Sequence, residues 1–173
     1  MDIKYIKNSI RNIPDFPKPG IQFKDITTLL MDPKIFNECI EIFYQEFKNK
    51  EIDVIVGIES RGFIFAAPLA LKLHCSFALA RKPGKLPAEK LSEIYKLEYG
   101  SDSLEIHLDA IQKGNKVLIM DDLLATGGTA SAVNNLVSKL GGHVQAIAFL
   151  IILTELKGIQ KLDKSKVFSI LNL

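Results

Sequence analysis

Four apolar residues, Val117-Leu118-Ile119-Met120, run into two adjacent carboxylates, Asp121 and Asp122, and then into Leu123-Leu124-Ala125-Thr126-Gly127-Gly128-Thr129. Each residue type in this string suits one part of a phosphorylated sugar. Gly127 and Gly128 tolerate positive φ and let the backbone approach a ligand closely. Their N–H groups, with those of a following helical turn, make an anion cradle favoured by the helix dipole. Thr126 and Thr129 add hydroxyl donors. Ionised Asp121 and Asp122 only accept, so they match the donors of a ribose cis-diol rather than a phosphate. Phosphate on the glycines and diol on the carboxylates describe a ribose 5-phosphate. Taken singly, each residue has a plainer reading: Thr129 as a helix cap, the glycines as a tight turn, the aspartates as turn formers.

Three other constellations could serve the same ligand. In Glu59-Ser60-Arg61-Gly62, backbone N–H groups and a guanidinium can face a polyanion. The plainer reading pairs Arg61 with Glu59 at the surface. Arg81-Lys82-Pro83-Gly84-Lys85-Leu86-Pro87 is a basic run stiffened by two prolines, suited to a pyrophosphate or to solvent alone. Phe23 lies in the Pro/Gly-rich segment 16–27, where an aromatic ring can stack on a base or simply pack into a core. His74, His107 and His143 have no metal-ligand spacing. Cys39 falls on the apolar face of a predicted helix, which points to a buried, reduced thiol.

The elements that must position these groups alternate. Ile3, Ile6, Ile10 and Ile13 share one helical face over residues 3–13. Pro14, Pro17, Pro19 and Gly20 then force an irregular extended stretch through Phe23. Asp32-Pro33 opens a helix with Phe36, Ile40, Phe43 and Phe47 inward. Residues 54–58 form a buried strand, 63–73 the helix behind it and 77–80 the next strand. Residues 81–106 form a long flap, with 95–99 and 104–107 pairing across Gly100-Ser101-Asp102. The strand ending in the two aspartates follows, then a helix over 130–140 and strands over 144–153 and 167–171. Such alternation predicts a mostly parallel sheet with helices on both faces. In such sheets ligands bind at the carboxyl ends of the strands.

Composition bounds the rest. The 173 residues suffice for one domain and are too few for two ordinary ones. A formal net charge of +2 gives no electrostatic argument for nucleic-acid binding. No apolar run approaches the roughly 20 residues of a membrane helix, and the first residues alternate rather than form a signal peptide. The expectation is a cytoplasmic protein.

The string Asp121 to Thr129 resembles the phosphoribosyl pyrophosphate (PRPP) motif of type I phosphoribosyltransferases. With Phe16 to Leu30, Glu59-Ser60-Arg61-Gly62-Phe63, Arg81 to Pro87 and Leu97-Glu98-Tyr99-Gly100 in order, the chain resembles the adenine branch of that family from about residue 14 to 171. The resemblance implies one α/β domain over residues 1–173: a mostly parallel twisted sheet flanked by helices, a base-binding hood (1–30) and a hairpin flap (81–106). It implies a purine-salvage pentosyltransferase that moves ribose 5-phosphate from PRPP to adenine. By the same carry-over, Asp121 and Asp122 grip the ribose diol, while Ala125, Thr126, Gly127, Gly128 and Thr129 hold the 5-phosphate. Arg61, Lys82 and Lys85 meet pyrophosphate, and Arg81 reaches a neighbouring subunit's site, which makes a homodimer. Phe23 stacks on adenine, backbone groups of Gln22 and Lys24 read its edge, and Glu98 handles a proton. Mg²⁺ is held mainly by substrate oxygens and water, with no direct protein ligand.

The chain departs from the family at Lys24, usually Arg, and at Ile152-Leu153-Thr154-Glu155, usually Glu-Leu-Thr-Ser, which touches the far wall of the base pocket. Three rivals stand beside this reading: a transferase for 6-oxopurines, a PRPP-sensing regulator and a non-catalytic purine binder. A 6-oxopurine reverses the hydrogen-bond polarity the pocket must offer. A regulator is expected to carry a DNA-binding module, for which the residues before Pro14 are too few.

Overall fold

In a computed structural model that describes residues 3–96 and 100–173, the chain begins with a short helix, α1 (Ile3–Ser9). A small antiparallel hairpin follows, β1 (Arg11–Pro14) with β2 (Gln22–Asp25), and then a single turn, α2 (Thr27–Leu30). The helix predicted over 3–13 therefore stops four residues early. Ser9 ends it, its hydroxyl turning back to the Ile6 carbonyl while its own carbonyl accepts from the Thr28 hydroxyl. Arg11 is then drawn into strand pairing opposite Asp25, to which its Nε donates at 3.0 Å. Of the four isoleucines only Ile6 is fully buried, and Ile3 is 51% exposed.

Helix α3 (Pro33–Phe47) forms as its sequence requires. The Asp32 carboxylate accepts from the amides of Lys34 and Ile35, and Pro33 occupies the first turn, where its missing N–H costs nothing. Ile40, Phe43 and Phe47 are buried with Cys39. Each buried side chain of this size contributes about 1.5–3 kcal/mol. Phe36 stays half-buried, edge-on to Phe65. Burial pushes the Cys39 thiol up to about 12, aided by nearby Glu38, so the expected inert thiol is what the fold contains.

The parallel units come next: β3 (Val54–Ile58), α4 (Gly62–Leu73) and β4 (Ser76–Ala80). A second hairpin, β5 (Lys90–Lys96) with β6 (Ser101–His107), precedes β7 (Lys116–Leu124), α5 (Gly128–Lys139) and β8 (His143–Ile152). Three short 3₁₀ turns between Thr154 and Lys166, absent from the sequence reading, lead to β9 (Val167–Asn172). The central sheet is fully parallel, in the order β4-β3-β7-β8-β9. Helices α3 and α4 fill one face with the first core, while α5 and the β5–β6 hairpin cover the other.

Two expectations about register are corrected. The flap hairpin pairs Lys96 with Ser101, so Ser101 and Asp102 are strand residues rather than a turn, and the first strand already starts at Lys90 rather than at residue 95, the expected part 97–99 lying outside the described residues. This register buries Tyr95, Leu104 and Ile106 together in the second core. Strand β7 also continues past its aspartates to Leu124, because Leu123 and Leu124 still pair with Ile151 and Ile152 of β8. The aspartates thus lie within a strand and not in a turn. On the other side β3 pairs no further than Gly57 with Met120, which leaves a crevice beside Asp121 and Asp122. Chain direction diverges there, β4 lying on one side of β3 and β8 beyond β7, as at the ligand-binding switch point of open α/β sheets.

Candidate active site

The crevice is lined by the two strand–helix junctions singled out in the sequence. Gly62 brings α4 against β7 so tightly that a Cβ there would lie 2.6 Å from the Met120 carbonyl and 3.1 Å from Asp121 Oδ1. Asp122 is 3% exposed. Its Oδ2 lies 3.0 Å from Arg61 Nε, yet accepts no aligned hydrogen bond from any described residue. The Asp122 amide donates to Asp121 Oδ1 at 2.8 Å. Burial, and next the adjacent Asp122 charge, push Asp121 well above the usual carboxylate range. Burial also raises Asp122, against the pull of Arg61. Asp122 Oδ2 is thus short of a donor, which is what a bound diol offers.

The loop between β7 and α5, the expected phosphate loop, is built without a side-chain cap. Gly127 is the N-cap of α5 with φ 79°, a conformation that favours glycine, and Thr129 lies inside the helix. The reading of Thr129 as a cap therefore fails, and the first-turn amides of α5 stay available to an anion. Gly158, which the sequence reading passed over, backs this loop. A Cβ at Gly158 would fall 2.1 Å from the Ala125 carbonyl and 2.8 Å from Gly127 N. Its only sequence signal is a lone glycine in an otherwise irregular stretch.

Arg61 joins the two halves of the site. Beyond its approach to Asp122, its guanidinium lies 5.4 Å from the centre of the Phe23 ring. The surface pairing with Glu59 is not formed. Glu59 accepts instead from Arg81 Nε at 3.1 Å and from the Lys82 amide at 2.9 Å, and these outweigh burial to hold its carboxylate low. Phe23 stands edge-on to Phe16 at 5.1 Å and lines a cavity of about 390 Å³ with Ile13, Leu30, Arg61 and Ile64. Gln22 and Lys24 point to the opposite face of the hairpin, where both side chains bond Asn12. Only their backbones can reach a ligand stacked on Phe23.

The basic run forms the root of the flap. Arg81 and Glu105 exchange backbone hydrogen bonds at 2.8 and 2.7 Å, and the Gly84 amide donates to Glu105 Oε2. The Lys82 ammonium is paired with Asp102 and donates to the Tyr95 hydroxyl at 3.2 Å. Burial alone lowers Lys82, but these partners outweigh it and keep the ammonium charged. Lys85 is exposed. Glu98 lies outside the described residues. Ile152, which opens the second departure from the family pattern, is 4% exposed and packs into the second core, and the Thr154 hydroxyl donates to the Leu173 carbonyl.

A switch-point crevice with an uncapped glycine cradle, paired carboxylates and an adjoining aromatic cavity defines an α/β protein built for a phosphorylated sugar carrying a flat substituent. Residues 25–172 match the family model for the phosphoribosyl transferase domain. The chain is 53% identical to an adenine phosphoribosyltransferase from Escherichia coli O157:H7 over 167 residues, 96% of this chain and 91% of that one. Among solved structures, adenine phosphoribosyltransferase from Thermoanaerobacter pseudethanolicus superimposes with a TM-score of 0.96 at 53% identity, covering 99% of this chain and all of that one. The Saccharomyces cerevisiae enzyme, complexed with an imino-altritol bisphosphate and adenine, gives 0.92 at 40% identity, with 97% of each chain covered. The chain belongs to the phosphoribosyl transferase family and, within it, to the adenine phosphoribosyltransferases.

Proposed function

We propose that this protein transfers ribose 5-phosphate from PRPP to N9 of adenine, giving AMP and pyrophosphate, a purine-salvage reaction carried out in the cytoplasm. The observation that carries the reading is Arg61, which meets both Asp122 of the crevice and the Phe23 wall of the adjoining cavity. The bond from ribose C1 to pyrophosphate breaks, the bond to N9 forms, and the N9 proton leaves. Asp121 and Asp122 hold the ribose hydroxyls, while Ala125 to Thr129 hold the 5-phosphate. Arg61, Lys82 and Lys85 offset charge on the departing pyrophosphate. Phe23 stacks on adenine, with backbone groups of Gln22 and Lys24 at its edge. Glu98 is our candidate for the N9 proton. Residues 1–30 act as the hood and 81–106 as the flap that excludes water, which competes for the cation-like ribose.

Among the described residues no group of three or more His, Cys, Asp or Glu side chains could hold a metal ion. Adjacent carboxylates, one with a buried oxygen short of a donor, beside a glycine cradle suit Mg²⁺, a cation that keeps its waters and binds through substrate phosphates. Asp121 and Asp122 would then orient the hydroxyls that share it. Bound Mg²⁺ supplies neutralisation of pyrophosphate charge.

The test is pyrophosphate release from PRPP with adenine or hypoxanthine, with and without Mg²⁺. Adenine is expected to be preferred at least about a hundredfold, because the exocyclic donor of adenine becomes an acceptor in hypoxanthine. Release is expected to collapse without Mg²⁺. Faster turnover of hypoxanthine would overturn the base assignment, and no release with either base would favour a sensor or a purine-binding protein.

A further inference from the structure

The flap hairpin is fastened to the helix of the phosphate loop. Glu93, on β5, reaches across to α5, where Oε1 accepts from Asn135 Nδ2 at 2.9 Å and Oε2 from Lys139 Nζ at 2.6 Å. Asn135 and Lys139 are four residues apart on one helical face and form a fork for a single carboxylate. The Glu93 side chain is only 15% exposed, although neighbouring Ile94 is 73% exposed. Hydrogen bonds from Lys139 and Asn135 hold its carboxylate below the usual range. Beneath the clip a cavity of about 230 Å³ opens between Glu93 and Tyr95 on one side and Gly128, Ser131 and Ala132 on the other. The hairpin also packs on α5 through Tyr95, Leu104 and Ile106 of the second core, and among the described residues Glu93 supplies the ion pair that joins it to the helix.

Alternation puts Tyr95 on the same face of β5 as Glu93. The Tyr95 hydroxyl donates to Asp102 Oδ2 at 3.1 Å and accepts from Lys82 Nζ. A continuous set of contacts thus runs from α5, whose first turn is the phosphate cradle, through Glu93 and Tyr95 to Lys82. On the proposed reading, the two ends of this set meet the two ends of one substrate: the 5-phosphate at α5 and the pyrophosphate at Lys82.

We infer that Glu93 is a positioning residue for the transfer: by clipping β5 to α5 it sets the distance between the groups that hold the 5-phosphate and the pyrophosphate of PRPP. This inference rests on the proposed roles of Lys82 and the phosphate loop. Glu93 touches neither adenine nor the Phe23 cavity. Its loss should act on PRPP and leave the purine alone, a split that simple destabilisation does not produce.

The test compares wild type with Glu93→Lys, Lys139→Glu and the double variant, measuring KM for PRPP and for adenine separately and the PRPP hydrolysed without adenine. Glu93→Lys is expected to raise KM for PRPP about fivefold, the upper range for a partly exposed ion pair, and to increase hydrolysis, with KM for adenine unchanged. The double variant, with the pair reversed, is expected to recover most of both losses, a non-additivity that marks direct coupling. An unchanged KM for PRPP in Glu93→Lys would overturn the inference, as would a double variant no better than the worse single one. Should Glu93→Lys fail to fold, Glu93→Gln keeps the side-chain size and one bond to Asn135. A smaller rise in KM for PRPP is then the supporting result, and no rise the refuting one. A wild type that makes no AMP would bring down the proposed reaction itself, whereas AMP formation with an unaltered variant would bring down the clip alone.

Discussion

Asp121 and Asp122 are adjacent like charges at a strand end, and Arg61 is the cation set against them among the described residues. Such a pair costs folding free energy and is retained where a ligand completes it. The folded value of Asp121 is raised above its unfolded one, so its ionisation opposes folding increasingly as pH climbs through and above the ordinary carboxylate range. Asp121→Asn is therefore expected to raise the melting temperature at pH 7, with the gain shrinking toward pH 4. It should also lower kcat/KM about tenfold to a hundredfold, because an amide donor replaces the acceptor we propose for the ribose hydroxyls. Calorimetry across pH, with kinetics on the same samples, checks both. A variant less stable than wild type at pH 7 would contradict the account of the pair.

The phosphate loop depends on an element far along the chain. Strand β7 ends at Leu124, α5 starts at Gly128, and the 3₁₀ turns after β8 bring Gly158 against the backbone between them. An added methyl would meet the Ala125 carbonyl at 2.1 Å, and a carbonyl cannot rotate away as a flexible side chain can. Gly158→Ala is expected to displace the loop and raise KM for PRPP about tenfold or more, with KM for adenine little changed. Steady-state kinetics decide it, and an unaltered KM for PRPP in a natively folded variant would show that the loop tolerates the shift. The Asp25 carboxylate does comparable work for the hood. The Thr27 amide and hydroxyl, and then Arg11, hold it at about 2, which ties β2 to α2 and β1.

For the whole molecule we propose a homodimer in which Arg81 serves the partner's site. Within its own chain Arg81 is held by Glu59, its Nη1 donates to the Lys85 carbonyl, and its side chain remains 29% exposed. If Arg81 acts across an interface, inactive Arg81→Ala and inactive Asp122→Asn chains should complement when mixed. Random exchange yields mixed dimers with one intact site each, restoring about a quarter of wild-type activity. The mixture is assayed after subunit exchange, with sedimentation confirming two chains per particle. Activity no greater than that of the separate variants would place Arg81 in its own chain's site.

Much of this was legible in the sequence, because local chemistry dictates it. Asp32-Pro33 specifies a helix start, uninterrupted apolar runs specify buried parallel strands, and Asp121 to Thr129 carries the proposed phosphosugar site in one contiguous segment. The errors have a common physical origin. Ile10 and Ile13 keep helical spacing, but the pairing of Arg11 with Asp25, fourteen residues away, overrides it. The flap register follows from burying Tyr95 with Leu104 and Ile106, and β7 extends because β8 offers partners for Leu123 and Leu124. Spacing along the chain could name Arg61 and Phe23 as candidates, but could not say that one guanidinium meets both Phe23 and Asp122. Nor could it bring Gly158 to the phosphate loop or Glu93 to Lys139. The sequence by itself determined which groups are candidates to bind, since their chemistry is local. Tertiary structure decided which of them lie together and at what distance, since those contacts exist only after distant segments pack on the two faces of one sheet.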